Sequence, residues 1–260
     1  MNSNNIVREV SRNELKKYII KASFKDCPIA DRERFLNSSC LIPISVGQKV
    51  HEGEKFKATV QLIDRSFRDA NFLIDDTIQR YTLAIDSGRN ENEEFGTALQ
   101  LGDEWINRNI SLIKGMTIPI KILRWEDFKA NKNYVNKKQM IEESYLNNSA
   151  YSFEIDETIK EFLYRYQQNK RCLNEDDYKR AYLLCLDYLK EECACMCLWA
   201  EKYYNFELYP TGRNRAMKAT HENFIKQSYN NVLNSVSIRF KKYYSSNVVT
   251  PQSGLEVGVS

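Results

Sequence analysis

Residues able to do chemistry gather at a few points of this 260-residue chain. Ser45 closes the apolar run Cys-Leu-Ile-Pro-Ile-Ser at residues 40–45 and is followed by Val46-Gly47-Gln48. A serine at the end of such a strand stands outside the carboxyl edge of an open sheet, where α/β folds bind ligands. The N–H groups of a following helix start could hold an oxyanion if Ser45 attacked an ester carbonyl. The same position also suits a plain turn or capping residue. Tyr188 and Glu192 are four residues apart and share a helix face, which Leu184, Cys195 and Trp199 continue. Residues 193–200 are apolar on all sides, so Glu192 stands where a helix enters the core. A carboxylate there needs a partner, and a substrate ammonium group would serve. The other reading is a solvated Glu191/Glu192 pair beside a packed tyrosine. Tyr209-Pro210 ends a short apolar run and would place a hydroxyl over the same edge as Ser45, although tyrosine hydroxyls are often half-buried without any function.

The elements that must position these groups alternate. Residues 17–22 form a short first strand and 40–45 a second. Helical spacing then covers 52–67, with Phe56, Val60 and Ile63 on one stripe. Residues 71–74 read as a strand, Asp76 as the N-cap of a helix over 77–85, residues 93–114 as a long helix and 117–123 as a further strand. The second half is helical at 134–147 and 152–168. Asn174 with Asp177 opens another helix that runs to about residue 203. A brief strand at 206–209 is ended by Pro210-Thr211-Gly212, and 214–244 is read as helix again. Residues 1–9 are expected to be loose and 245–260 a disordered tail. The expectation is one α/β domain over 1–260, with its core at about 15–244: a Rossmann-like parallel sheet flanked by helices.

Composition sets outer bounds. Hydrophobic content of 42% and charged content of 28% are those of a globular protein, and only 9 glycines and 5 prolines argue against a turn-rich β-sandwich. A net charge of +3 does not itself call for nucleic acid, but it permits a local basic patch. Candidates for such a patch are Lys129, Lys132, Lys137 and Lys138, with Arg239, Lys241 and Lys242 near the C-terminus. The 7 cysteines include no C-x-x-C pair, so a disulfide framework is not indicated and a reducing cytosol fits. No signal peptide or membrane-length apolar run is seen, so a soluble cytoplasmic protein is expected. Phosphate-cradling motifs G-x-x-x-x-G-K-[ST] and G-x-G-x-x-G are missing, and no metal site is expected.

The motifs together carry a resemblance. Ile44-Ser45-Val46-Gly47-Gln48, with His51-Glu52-Gly53-Glu54-Lys55 behind it, resembles the N-terminal motif of tRNA-dependent cyclodipeptide synthases. Asp76-Thr77-Ile78-Gln79-Arg80 is similar to that family's second strand-end motif, and Tyr188-Leu189-Lys190-Glu191-Glu192 to its Tyr-x-x-x-Glu element. Tyr209-Pro210 is similar to the signature of the Tyr-Pro subfamily, in which Gln48 stands where the other subfamily carries asparagine.

The resemblance implies a fold like the catalytic domain of class I tyrosyl- and tryptophanyl-tRNA synthetases. It makes Ser45 the nucleophile that accepts an aminoacyl group from a first tRNA. Tyr188 and Glu192 would bind its amino group, and Tyr209 would relay protons. A second aminoacyl-tRNA would give a dipeptidyl-enzyme, and cyclisation would release a diketopiperazine. Gly47, Gln48, Leu41, Pro43, Cys195 and Met196 are the candidates for the amino-acid pocket, with a polar wall at Glu207. The substrates would be two aminoacyl-tRNAs, with no ATP and no metal, acting on a monomer. His51-x-Gly53 is only partly similar to the synthetase His-Ile-Gly-His element, and no Lys-Met-Ser-Lys-Ser follows, so amino-acid activation is not expected. Two other readings stay open: a serine acyltransferase or hydrolase using His51 or His221 as base, and a non-catalytic tRNA-binding protein on a synthetase-like fold.

Overall fold

A computed structural model describes residues 18–25, 33–202, 204–226, 228 and 233–244. The expected loose start and C-terminal tail lie outside the described residues. The strands are β1 (Tyr18–Lys25), β2 (Ser39–Ser45), β3 (Asp69–Asp75), β4 (Ile120–Arg124), β5 (Phe206–Leu208) and β6 (Asn234–Tyr244). The helices are α1 (Gly53–Asp64), α2 (Arg80–Ser87), α3 (Phe95–Lys114), α4 (Trp125–Lys129), α5 (Tyr134–Asn147), α6 (Ser149–Asn169), α7 (Glu175–Glu201) and α8 (Arg215–Thr220). Caps read from sequence hold. The Asp76 carboxylate accepts from Thr77 N–H, and the Asn174 side chain accepts from Asp177 N–H.

The strands form one sheet in the order β1-β6-β5-β2-β3-β4. All pairings are parallel except β1 with β6, so the sheet is mostly parallel with one antiparallel edge. Side chains alternate across it. Cys40, Ile42 and Ile44 pack with Phe72 and Ile74 against Phe56, Val60 and Ile63 of α1 and Trp105 of α3. Leu41 and Leu73 face the other way, into a layer built from α2, α4, α5, α6, α7 and α8. That parity decides the site. Pro43, Ser45, Asp75 and Glu207 share the face of Leu41 and Leu73, because Ser45 pairs with Asp75 and Leu41 with Glu207. The functional residues at the strand ends therefore open toward α7.

One element departs from expectation. Residues 214–244 are not a single helix: α8 ends at Thr220, a π turn follows over His221–Ile225, and Asn234–Tyr244 is strand β6. The reason lies in the period. Val236 and Ile238 are buried and alternate with Ser237 and exposed Arg239, a two-residue repeat rich in β-branched and aromatic residues. The strand gains partners on both sides, β5 and β1, which no local reading supplies.

Candidate active site

The carboxyl ends of β2, β3 and β5 and the faces of α2, α6 and α7 enclose a cavity of about 270 Å³. Ser45 ends β2 at its floor. Gly47, at φ 85°, takes a left-handed conformation that glycine adopts without strain, and the Gln48 N–H closes the turn on the Ser45 carbonyl at 3.2 Å. The Ser45 hydroxyl pairs with the Tyr209 hydroxyl at 2.9 Å. β5 lies beside β2, so the residue just past β5 reaches across to the serine. Burial pushes the Tyr209 phenol up to about 12, against the hydrogen bond with Ser45. It is thus a neutral O–H at ordinary pH, able to pass a proton to or from the serine oxygen.

α7 brings two more groups to the cavity. The Tyr188 hydroxyl donates to Glu192 Oε1 at 3.5 Å, and Asn214 Nδ2 donates to Oε2 at 3.4 Å. Asn214 is itself held as the N-cap of α8, accepting from Met217 N–H. Burial pushes the Glu192 carboxyl up to about 7, with the charge of Glu207 adding to the rise, while the bonds from Asn214 and Tyr188 oppose it. Glu192 keeps partial surface exposure although protein surrounds it, because its carboxylate faces the cavity. Burial, then the Glu192 charge, moves the Tyr188 phenol well up.

Two further carboxyls line the same floor. Asp75 ends β3 beside Ser45, is 5% exposed, and its Oδ1 has no hydrogen-bond partner among the described residues. Burial, then Glu192, Asp76 and Glu207, pushes its pKa well up. Glu207 is fully buried, with Oε2 accepting from Arg213 Nε at 2.7 Å and Oε1 without a hydrogen-bond partner among the described residues. The floor therefore pairs an activatable hydroxyl with an excess of acceptors suited to an amine-bearing acyl group.

Neither a family model nor a curated protein matches the sequence. Among solved structures, the chain is 46% identical to a CDPS from Fluoribacter dumoffii, with a TM-score of 0.82 over 87% of this chain and 100% of that one. The chain belongs to the cyclodipeptide synthase family. A more distant cyclodipeptide synthase, from Candidatus Glomeribacter gigasporarum bound to Phe-tRNAPhe, shares the fold at 18% identity and a TM-score of 0.64, covering 89% of this chain and 95% of that one. The Mycobacterium tuberculosis structure, described as demonstrating that these enzymes are related to type I tRNA synthetases, aligns at 12% identity and a TM-score of 0.56 over 86% of this chain and 93% of that one. The Rossmann-like, synthetase-related fold expected from sequence is the fold observed.

Set against this family fold, the sequence candidates divide. Ser45, Tyr188, Glu192, Tyr209, Pro43, Gln48 and Glu207 all line the cavity, as does Gln79. Leu41, Cys195 and Met196 do not: each is 0% exposed in the hydrophobic core. Leu41 lies four residues before the strand end and is covered by helices, while Cys195 and Met196 are packed in the core although Trp199, further along the same helix, still lines the cavity. Gly47 shapes the turn and is exposed. The oxyanion donors expected from a helix beginning at the Ser45 turn are displaced, because a 3-10 turn over Lys49–His51 intervenes and α1 starts only at Gly53.

Neither histidine pairs with the serine hydroxyl. His51 Nδ1 meets the Ser45 backbone oxygen at 3.3 Å, its ring packs edge-on to Tyr209, and burial pulls its pKa down to about 4. His221 lies beside Glu222 in the π turn. The geometry thus lacks the Ser–His pair that a triad hydrolase requires.

Sequence reading missed Asp75 as a site residue and also missed the role of Glu191. Arg80, 6% exposed, donates to both Glu191 oxygens at 3.0 and 2.6 Å, to Thr77 O and to the Tyr81 hydroxyl. Trp125 Nε1 donates to Glu191 at 2.7 Å, and Lys129 stands 3.7 Å away. This cluster pins α7 to α2 and α4 and so fixes the next residue, Glu192, in the cavity. The Glu191 side of the doublet could have been found from Arg80, a base next to an apolar helix face, had its distant partner been known.

Proposed function

We propose that this family member joins two amino acids, delivered as aminoacyl-tRNAs, into a cyclic dipeptide by way of an ester on Ser45. The observation that carries the reading is the 2.9 Å contact of the Ser45 and Tyr209 hydroxyls on a cavity floor shared with Tyr188 and Glu192. An aminoacyl-tRNA ester is already activated, so the reaction needs neither ATP nor a metal. Ser45 Oγ attacks the first ester carbonyl, its proton passing through Tyr209 toward the departing ribose oxygen. The α-ammonium settles against Glu192 and the Tyr188 oxygen. With a carboxyl near 7 and an α-amine near 8, proton transfer to Glu192 is almost balanced. The freed amine can then attack the second ester, giving a dipeptidyl-enzyme. Attack by the second amine on the Ser45 ester closes the ring and returns the proton to the serine oxygen. The Tyr209-Pro210 pair supports placement in the Tyr-Pro subfamily.

The docking surface for tRNA is best supported at the antiparallel edge. On the outer face of β1 and β6, Lys21 pairs with Lys241 and Ser23 with Arg239, with Lys25 further along, and all are exposed. Such a basic ribbon suits a phosphate backbone. The other candidates are differently engaged: Lys129 faces Glu126 and Glu191, Lys137 faces Glu201 at 2.7 Å, and Lys138 faces Glu142. Lys132 is exposed.

The test is expression in a bacterial host with mass spectrometry of the medium. A cyclic dipeptide made by the wild type and lost in Ser45→Ala supports the reading. Wild-type product formation that survives Ser45→Ala overturns the serine ester, and a folded wild type that is never acylated by charged tRNA overturns the whole assignment.

A further inference from the structure

The cavity floor holds more acceptor capacity than the Ser45, Tyr188, Glu192 and Tyr209 set uses. Asp75 sits one strand over from Ser45 in direct register, on the same sheet face, and lines the same cavity. It is 5% exposed, yet its Oδ1 has no hydrogen-bond partner among the described residues. A buried oxygen without a donor is costly, and Asp75 differs from Glu94 and Glu207, whose orphan oxygens belong to carboxyls with an arginine partner. Asp76 next to it is bonded by Arg124 and by Thr77 N–H. Glu191 is bonded by Arg80 and Trp125. Asp75, Glu192 and Glu207 put three carboxyls on the cavity floor, and among the described residues their one ion pair is Arg213 with Glu207. Asp75 and Glu192 are thus without an ion-pair partner among the described residues, although Arg165 of α6 also lines the cavity. An ammonium carries three N–H donors. Glu192 offers two carboxylate oxygens, each already accepting one long hydrogen bond, and the Tyr188 oxygen, whose proton points to Glu192, offers another acceptor.

We propose that Asp75 Oδ1 is a further acceptor, so that Asp75 is a substrate-contacting residue that completes an ammonium cradle with Glu192 and Tyr188. The assignment rests on the reading of Ser45 as the acyl carrier and adds to it a basis for rejecting esters that lack an amino group. An α-hydroxyacyl ester of the same shape brings one O–H donor and no positive charge where an ammonium brings three donors, so the cradle selects aminoacyl over hydroxyacyl groups.

A competition experiment reads this directly. The unfractionated tRNA pool is charged with isotopically labelled amino acids, and half is deaminated with nitrous acid to α-hydroxyacyl-tRNA carrying a different label. Both halves are mixed with enzyme, and the Ser45 peptide is analysed by mass spectrometry. The ratio of aminoacyl to hydroxyacyl label on Ser45 does not depend on how much of a variant is folded. In Asp75→Ala the ratio should fall about ten- to a hundred-fold from wild type, the loss of a hydrogen bond to a charged group, and in Asp75→Asn, which keeps an accepting oxygen without the charge, it should fall less. Melting temperature should hold or rise, since an unanswered carboxyl has been removed. A wild-type ratio in a folded variant that loads Ser45 overturns the assignment while leaving the acyl-enzyme reading in place. Wild-type enzyme that loads neither label overturns both.

Discussion

Glu191 and Glu192 are neighbours on one helix, and the protein treats them in opposite ways. Glu191 is gripped by Arg80, Trp125 and Tyr81, with Lys129 close by. Burial drives its pKa up, but the bonds and charge of Arg80 outweigh this and hold it below the ordinary carboxylate value. Glu192 turns into the cavity with two long hydrogen bonds and no ion-pair partner among the described residues, and burial lifts it to about 7. The first carboxylate fixes α7 in place. The second is left short of partners, and so retains free energy for a substrate ammonium. A satisfied acid and an unsatisfied one, a single residue apart, separate stability from function.

The sharpest break should come at Ser45, the proposed acyl carrier. Ser45→Ala is expected to lower cyclic dipeptide formation by about 10³-fold or more and to abolish the covalent adduct seen by intact-protein mass spectrometry. Next, the two glutamates should fail differently. Glu192→Gln should cut the rate about 10²-fold or more. Its melting temperature at pH 8 should stay level or rise by a few degrees. The sign follows from linkage: a carboxyl whose folded pKa is raised loses the protein stability as pH climbs from the ordinary carboxylate range to about 7, and glutamine removes that loss. Glu191→Gln should instead destabilise the fold by about 3 kcal/mol, because the Arg80 charge stays buried without its counterion, and denaturant unfolding measures this. Equal melting behaviour of the two variants would end the contrast.

The pH profile sharpens the same point. Wild-type turnover should rise through about pH 7 as Glu192 ionises, and Glu192→Gln should flatten that limb. The smallest effect is expected farthest from the cavity. Arg239→Ala or Lys241→Ala should each weaken tRNA binding modestly and reduce the slope of log affinity against log salt by about 1, measured by filter binding over a salt series.

How much of this was legible varies by element. Residues 40–45 announced a buried parallel strand because both sheet faces are covered, and the run is apolar throughout. Asp76 and Asn174 announced helix starts because capping is a local hydrogen bond between near neighbours. Strand β6 was misread although its alternation was present, because its pairing partners lie in β5 and in β1 at the other end of the chain. The pocket members Leu41, Cys195 and Met196 were misplaced for a related reason. Spacing tells which face a residue takes, but not how far along that face the cavity extends.

The sequence by itself determined the alternation of strands and helices up to about residue 214 and the serine, tyrosine and glutamate types at the site, while its motifs carried the family resemblance. The elements follow from local periodicity and the residue types from side-chain chemistry. Only the tertiary structure decided that Tyr209 meets Ser45, that Arg80 takes Glu191 and leaves Glu192 to the cavity, and that Asp75 stands unanswered beside the serine. Those facts depend on strand order, on register parity and on which buried charge finds a partner, and each is set by contacts between residues far apart in the chain.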